Sequence, residues 1–205
     1  RNYSFLKAED IGQRVLSEQF TLLDDPRESE LFAQSHDIYG IERQPFYSFR
    51  NGVFEGFIWE QDDADEFAEQ PTGHSVYHTS MVMDGGTEDV PDLQALAAMA
   101  KEADLLYIPY LHYMNIVNPT KGLVTGSSRF GALMFRQDGR VEVPYNVRLT
   151  QAFGDFFGDK LAWMSRQQVV YNASSNYAER NPVAMRVPRF VCVRGLEISH
   201  SNSSY

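Results

Sequence analysis

The chain has 205 residues, 43% hydrophobic and 13% aromatic, with 14 Phe and 11 Tyr. This composition suits a packed core rather than a disordered chain, and the aromatic excess favours strands over helices. A formal net charge of -10 and a pI near 4.9 argue against a nucleic-acid partner, because phosphate binding draws on clustered Lys and Arg.

Residues 6–16 carry apolar positions at Leu6, Ile11 and Val15 and predict a first helix. Residues 46–59 read apolar run, turn dipeptide, apolar run, the pattern of a β-hairpin, with Asn51-Gly52 at the turn. The acidic run 60–66 lacks the glycine and spaced oxygen ligands of a calcium loop and reads as a solvated face or loop.

His74 and His78 stand four apart, metal-ligand spacing on a helix. A helical zinc site of the peptidase kind needs a Glu after the first His, and that position is Ser75. Pro71 and Gly73, with β-prone Val76, Tyr77 and Thr79, favour an extended segment, where positions four apart lie about 13 Å from each other. Structural or loop histidines are the better reading. His36, His112 and His200 have no Cys or carboxylate at ligand spacing.

The charged stretch 84–92 reads as a surface loop, and 92–105, rich in Ala and Leu behind Pro91, as a second helix. Residues 107–113 alternate aromatic and apolar types, which suits one strand of a sheet or the lining of a ligand groove. Residues 122–131 have the glycines of a phosphate loop without its Gly-Lys-Ser/Thr ending, so a strand or loop feeding the next hairpin is expected. Ser127 and Ser128 lack a nucleophile elbow.

That hairpin spans 131–143 and turns at Asp138-Gly139. A short helix is expected over 151–161, weakened by Gly154 and Gly158, and a third hairpin over 190–198. Cys192, the single cysteine, reads as a small core residue on a strand in a reducing compartment. No apolar run of about eighteen residues and no opening signal segment appear, so neither a membrane span nor secretion is expected, and a cytoplasmic location follows. The fold class predicted is β-rich α+β, antiparallel hairpins forming a barrel-like sheet with two or three packed helices.

Several strings fall in an order that resembles the C-terminal domain of the TldD/PmbA family, the "modulator of DNA gyrase" proteins. They are Ser4-Phe-Leu, Ile11-Gly-Gln-Arg-Val-Leu-Ser17 and Phe20-Thr-Leu-Leu-Asp-Asp-Pro26. Arg50-Asn-Gly-Val-Phe-Glu-Gly-Phe57 is similar to the family's hairpin and Pro71-Thr-Gly-His74 to its turn. Asn118-Pro-Thr, Thr125-Gly-Ser-Ser-Arg-Phe-Gly131 and Arg140-Val-Glu-Val-Pro144 follow, then Asn181 to Phe190 and Leu196-Glu-Ile198. The co-linear order over almost the whole chain carries the likeness.

The resemblance implies one C-terminal domain over 1–205, the family's N-terminal α/β domain being absent from this chain. Active members are zinc metallopeptidases with a His-Glu-x-x-x-His helix leading into this domain and a Cys near its end. The sequence contains no such motif, the Cys position falls near Ser174, and Cys192 comes too late. A cut at the front cannot remove a ligand at the back, so the likeness is nearer the non-catalytic PmbA/TldE type. No metal is expected in this chain, with zinc only where a catalytic segment or partner supplies ligands.

The implied role is a non-catalytic subunit or half that shapes a peptide chamber and dimer interface. The implied partners are a second copy or a TldD-like subunit and an unfolded peptide, with no nucleic acid and no membrane. Thr72, Gly73, His74 and Arg129 are the candidate peptide contacts. Two alternatives stand beside this: the end of an active peptidase whose motif lies before residue 1, and a non-enzymatic binding module using 107–113.

Overall fold

The computed structural model describes residues 4–75, 79–172 and 183–200. The fold is β-rich α+β, as expected, with fifteen strands and three short α-helices among the described residues. Two compact units share the chain: Ala8–Glu88 with Trp163–Val191 makes one, and Asp89–Ala162 with the two chain ends makes the other.

In chain order the first unit opens with β1 (Leu22–Asp24), β2 (Phe46–Arg50), β3 (Val53–Phe54), α1 (Gln61–Phe67) and β4 (Ser80–Met83). The second contributes α2 (Leu93–Ala98), β5 (Leu105–Tyr107), β6 (Leu111–Asn118), β7 (Leu123–Ser128), β8 (Leu133–Phe135), β9 (Val141–Glu142), β10 (Val147–Ala152) and α3 (Phe153–Phe157). After β11 (Leu161–Met164) the chain returns to the first unit for β12 (Gln168–Asn172) and β13 (Ala184–Pro188), then ends with β14 (Val191–Val193) and β15 (Ile198–His200).

The first unit is a six-stranded sheet ordered β12-β13-β4-β1-β2-β3, antiparallel except where β13 runs parallel to β4. Its hairpin turns where the sequence places it. Asn51 (φ 50) and Gly52 (φ 75) both take the left-handed region that a two-residue hairpin turn demands. Gly52 is needed twice over, since a Cβ there would sit 2.2 Å from the Leu16 carbonyl oxygen.

That close approach also explains why 6–16 is no helix beyond the single 3-10 turn Ala8–Asp10. The Val15 and Leu16 amides donate to the Gly52 carbonyl, Gly12 donates to Phe54 and Phe54 to Gln13, so the segment lies along the hairpin as an extra extended strip. Behind the sheet Phe20, Phe49 and Phe54 are buried, their rings 5.5 Å apart in sequence, and Phe57, Trp59 and Phe67 extend the row at 4.9, 6.3 and 6.0 Å. Full burial of each such ring is worth about 1.5–3 kcal/mol. The acidic run forms α1, with only Ala64 buried, a solvated helix face rather than a loop.

The second unit holds a four-stranded antiparallel sheet, β15-β10-β7-β6, and a three-stranded one, β5-β8-β9. The hairpin at Asp138-Gly139 forms with a three-residue loop closed by Arg136 and Arg140, Gly139 sitting at φ 85. Asp92 starts the second helix, as expected, by accepting the Ala95 amide at 2.8 Å, but the helical stretch ends at Lys101, short of the expected 105, where β5 begins. Helix α3 is short because β10 occupies the first residues of the predicted span.

Three further expectations change. The third hairpin is absent: Gly195 turns at φ 63, but β14 joins β11 and β15 joins β10. The run 107–113 is not one strand, because it ends β5 and begins β6. Among the described residues each sheet has two ends, so the hairpins form open sheets and not one barrel-like sheet. No helix among them is long and apolar enough to cross a membrane.

Candidate functional site

The turn flagged at 72–74 faces inward. Thr72 is clamped to Trp59, its amide donating to the Trp59 carbonyl at 2.9 Å and its Oγ1 accepting the Trp59 amide at 3.1 Å. Gly73 (φ 71) lets the chain pass the Glu42 carbonyl, which a Cβ would meet at 2.8 Å. His74 then enters the unit with 1% of its surface exposed.

Its Nδ1 lies 2.7 Å from the Thr72 carbonyl oxygen, which can only accept, so the proton sits on Nδ1 and Nε2 carries the lone pair. That lone pair points toward Asp24 Oδ2 at 4.0 Å. Asp24 is fully buried at the end of β1, and its Oδ1 accepts from Arg43 Nη2 and from the Ser80 amide, each at 2.8 Å. Arg43, 4% exposed, also donates to the Gln34 carbonyl at 3.1 Å. Among the described residues Asp24 Oδ2, His74 Nε2 and Arg43 Nε find no hydrogen-bond partner. Burial holds the His74 imidazole below its ordinary value of 6.5 and Arg43 adds to this, against the pull of Asp24 and two backbone groups. The result is a buried ion pair with a neutral histidine beside it.

Arg129, the fourth flagged residue, belongs to the other unit and is exposed. Its amide donates to the Tyr110 carbonyl, and Nη1 donates to His112 Nε2 at 2.5 Å, fixing that imidazole as an acceptor. Register explains the neighbours. His112 on β6 pairs with Ser127 on β7, and Ser127 with Arg148 on β10, so the three form a row across one sheet face. The opposite face carries Val147, Leu149, Gln151 and Ser128, all buried.

On the open face Arg148 lies flat on hydroxyls, Nε 3.2 Å from Thr125 Oγ1 and Nη1 3.3 Å from Ser127 Oγ. Beside it stand aromatics: the Arg129 guanidinium is 5.2 Å from the Phe130 ring, and the Tyr113 ring 4.0 Å from that of His112. Tyr113 (φ 51) and Phe130 (φ 65) hold left-handed backbone while 73% and 80% exposed, a strained display of large side chains.

Sequence reasoning missed Asp24, Arg43 and Arg148, and weighed Ser127 only as a nucleophile. The pattern of Thr21-Leu-Leu-Asp24 was visible, but nothing local says that the acid turns inward. His78 and Ser174 lie outside the described residues.

A zinc centre of the family's type needs converging His, Cys or carboxylate donors. Among the described residues no three come together. Cys192 is half-buried, and burial pushes its thiol up, away from the thiolate a metal takes.

The sequence profile of the PmbA/TldA metallopeptidase C-terminal domain matches residues 1–200. No curated protein matches the chain. Among solved structures it is similar to TldE from Thermococcus kodakarensis, at 18% identity and TM-score 0.73, covering 97% of this chain and 45% of that one. It is also similar to proteins described as modulators of DNA gyrase. The one from Bacteroides thetaiotaomicron has 18% identity and TM-score 0.74, covering 98% of this chain and 40% of that one. The one from Thermotoga maritima has 16% identity and TM-score 0.71, with 97% and 43% covered. At these identities the likeness establishes the fold, and the chain spans less than half the length of each.

Proposed function

Because the chain belongs to the PmbA/TldD family, as its metallopeptidase C-terminal domain, we propose that it serves as a non-catalytic half that builds the wall of a peptide chamber and the interface with a related subunit. The observation that carries this reading is strand β6. It is an eight-residue strand at the edge of its sheet, and it exposes Tyr113 (73%), Met114 (46%), Ile116 (70%) and Val117 (55%) in succession. A long apolar edge left bare invites aggregation, so a partner surface covers it. The position that the resemblance assigns to the family's C-terminal Cys falls near Ser174, and this supports the non-catalytic part of the reading. Peptide held along an edge by backbone hydrogen bonds would tolerate varied sequences.

Ile116→Glu tests the interface. Placing a charge on the exposed strand should abolish assembly with a second copy or with a subunit bearing the zinc motif, read by sedimentation, while thermal unfolding of the isolated chain stays within about 0.5 kcal/mol. Unchanged assembly would count against β6 as the interface. A second reading, the closing part of an active peptidase, draws on the coverage of less than half of the related chains. The sequence before residue 1 separates the two: a His-Glu-x-x-x-His helix leading into this domain would refute the non-catalytic assignment.

A further inference from the structure

We propose that the open face of the β10-β7-β6 sheet is a carboxylate site, made by Arg148, Ser127 and Arg129, that takes the acidic side chain or free C-terminus of a peptide. This inference rests on the peptide-handling role and names the chemical group that this unit would grip.

Charge makes the argument. In a chain of net charge -10, the arginines of the surface commonly meet acids: Arg136 meets Asp104 and Glu142, Arg140 meets Asp138, and Arg186 meets Glu28. Arg129 and Arg148 do not. Among the described residues neither is within ion-pair distance of a carboxylate; one donates to the His112 imidazole and the other to two hydroxyls. Two guanidiniums on one face, without an anion between them, repel each other, and an anion seated there removes that cost.

Geometry places the anion. Arg148 is directly across from Ser127, while Arg129 lies just past the end of β7, two residues beyond Ser127, and bonds to His112, the partner of Ser127 on the other side. The two cations thus bracket Ser127. A carboxylate above it accepts from both guanidiniums, each of which has five donors and uses at most two here, and from the Ser127 hydroxyl, which accepts from Arg148 and keeps its own proton to give. Exposed Phe130, its ring 5.2 Å from the Arg129 guanidinium, offers an apolar shelf for the side chain next to the carboxylate. The ligand class is therefore a peptide carboxylate adjoining an aromatic or branched apolar residue.

The test uses the whole chain at low salt and follows backbone amide signals by NMR. N-acetyl-phenylalanine, with its free carboxylate, should shift the signals of Ser127, His112 and Arg148 in a saturable way, and its amide should not. Arg148→Gln and, independently, exposed Arg129→Gln should each weaken binding about tenfold or more, the loss of one charge-assisted pair. Arg189→Gln on the other unit should leave it unchanged. Equal binding of acid and amide, no response to either arginine variant, or inorganic phosphate binding as tightly as the acylated amino acid would overturn the inference. A peptide blocked at both ends and free of acidic residues separates the two levels. Should it fail to bind anywhere while N-acetyl-phenylalanine binds, the peptide-chamber reading falls and the carboxylate site stands; should it bind while the acid and amide behave alike, the reverse holds.

Discussion

Replacing Asp24 by Ala should be among the most damaging single changes to the six-stranded unit, and its size follows from what it strands. Arg43, 4% exposed, loses the carboxylate at 2.8 Å that neutralises it, and removing one partner of a buried ion pair costs roughly 3–5 kcal/mol. The Ser80 amide, fully buried on β4, loses the same acceptor, an orphan worth about 1–3 kcal/mol. With partial relaxation the sum stays near 5 kcal/mol, comparable to the whole stability of many domains. Asp24→Asn should be milder, about 2–3 kcal/mol, the difference between a charged and a neutral acceptor. It retains an oxygen for Arg43 and Ser80, and its new amide nitrogen faces the His74 Nε2 lone pair now set against Oδ2 at 4.0 Å. Both tryptophans, Trp59 and Trp163, lie in this unit, so urea unfolding followed by their fluorescence reads the right structure. The double change Asp24→Leu with Arg43→Met should recover part of the loss, since an apolar pair has no charge to strand. A loss below about 1 kcal/mol for Asp24→Ala, or equal losses for the Ala and Asn variants, would refute the buried-pair argument.

Stability of the same unit should depend on His74. Its folded imidazole titrates below the ordinary 6.5, so as pH falls through 6.5 the unfolded chain takes the proton first. The urea midpoint should hold steady above that pH, drop on acidification below it and level once the folded histidine is also protonated; a midpoint that rises on acidification there would be the wrong sign. Gly52→Ala should cost several kcal/mol, because left-handed strain adds to a 2.2 Å approach to the Leu16 carbonyl, while Gly139→Ala, with the same handedness and open space, should cost only about 1–2 kcal/mol by thermal unfolding. The Cys192 thiol, raised by burial, should react with a disulfide reagent more slowly at pH 7 in the folded chain than in urea, and equal rates would contradict its placement.

The amino-acid order alone determined the β-rich class, the family, and the two hairpins at Asn51-Gly52 and Asp138-Gly139. Turn chemistry is local there: positive φ at fixed positions suits Asn, Asp and Gly whatever surrounds them. The helix start at Asp92 follows from the same local reasoning, since the cap acts three residues on.

Residues 11–16 needed more, because their apolar spacing suits a helix and the hydrogen bonds that make them extended come from Gly52 and Phe54, remote in sequence. The same holds for 190–198, where a good turn joins strands that find partners in β11 and β10 instead of each other. His74 read as a turn residue with a metal-like spacing; it became a buried neutral imidazole once Asp24 and Arg43 met beneath it, groups separated by tens of residues. Arg129 was visible as a loose arginine, but its companionship with Ser127 and Arg148 exists only through strand register, which sets three separate stretches side by side on one sheet face. Backbone preference is carried by a few neighbouring residues, whereas the electrostatics of a site depend on which distant segments the sheet brings within a few ångströms, and that is decided by tertiary packing.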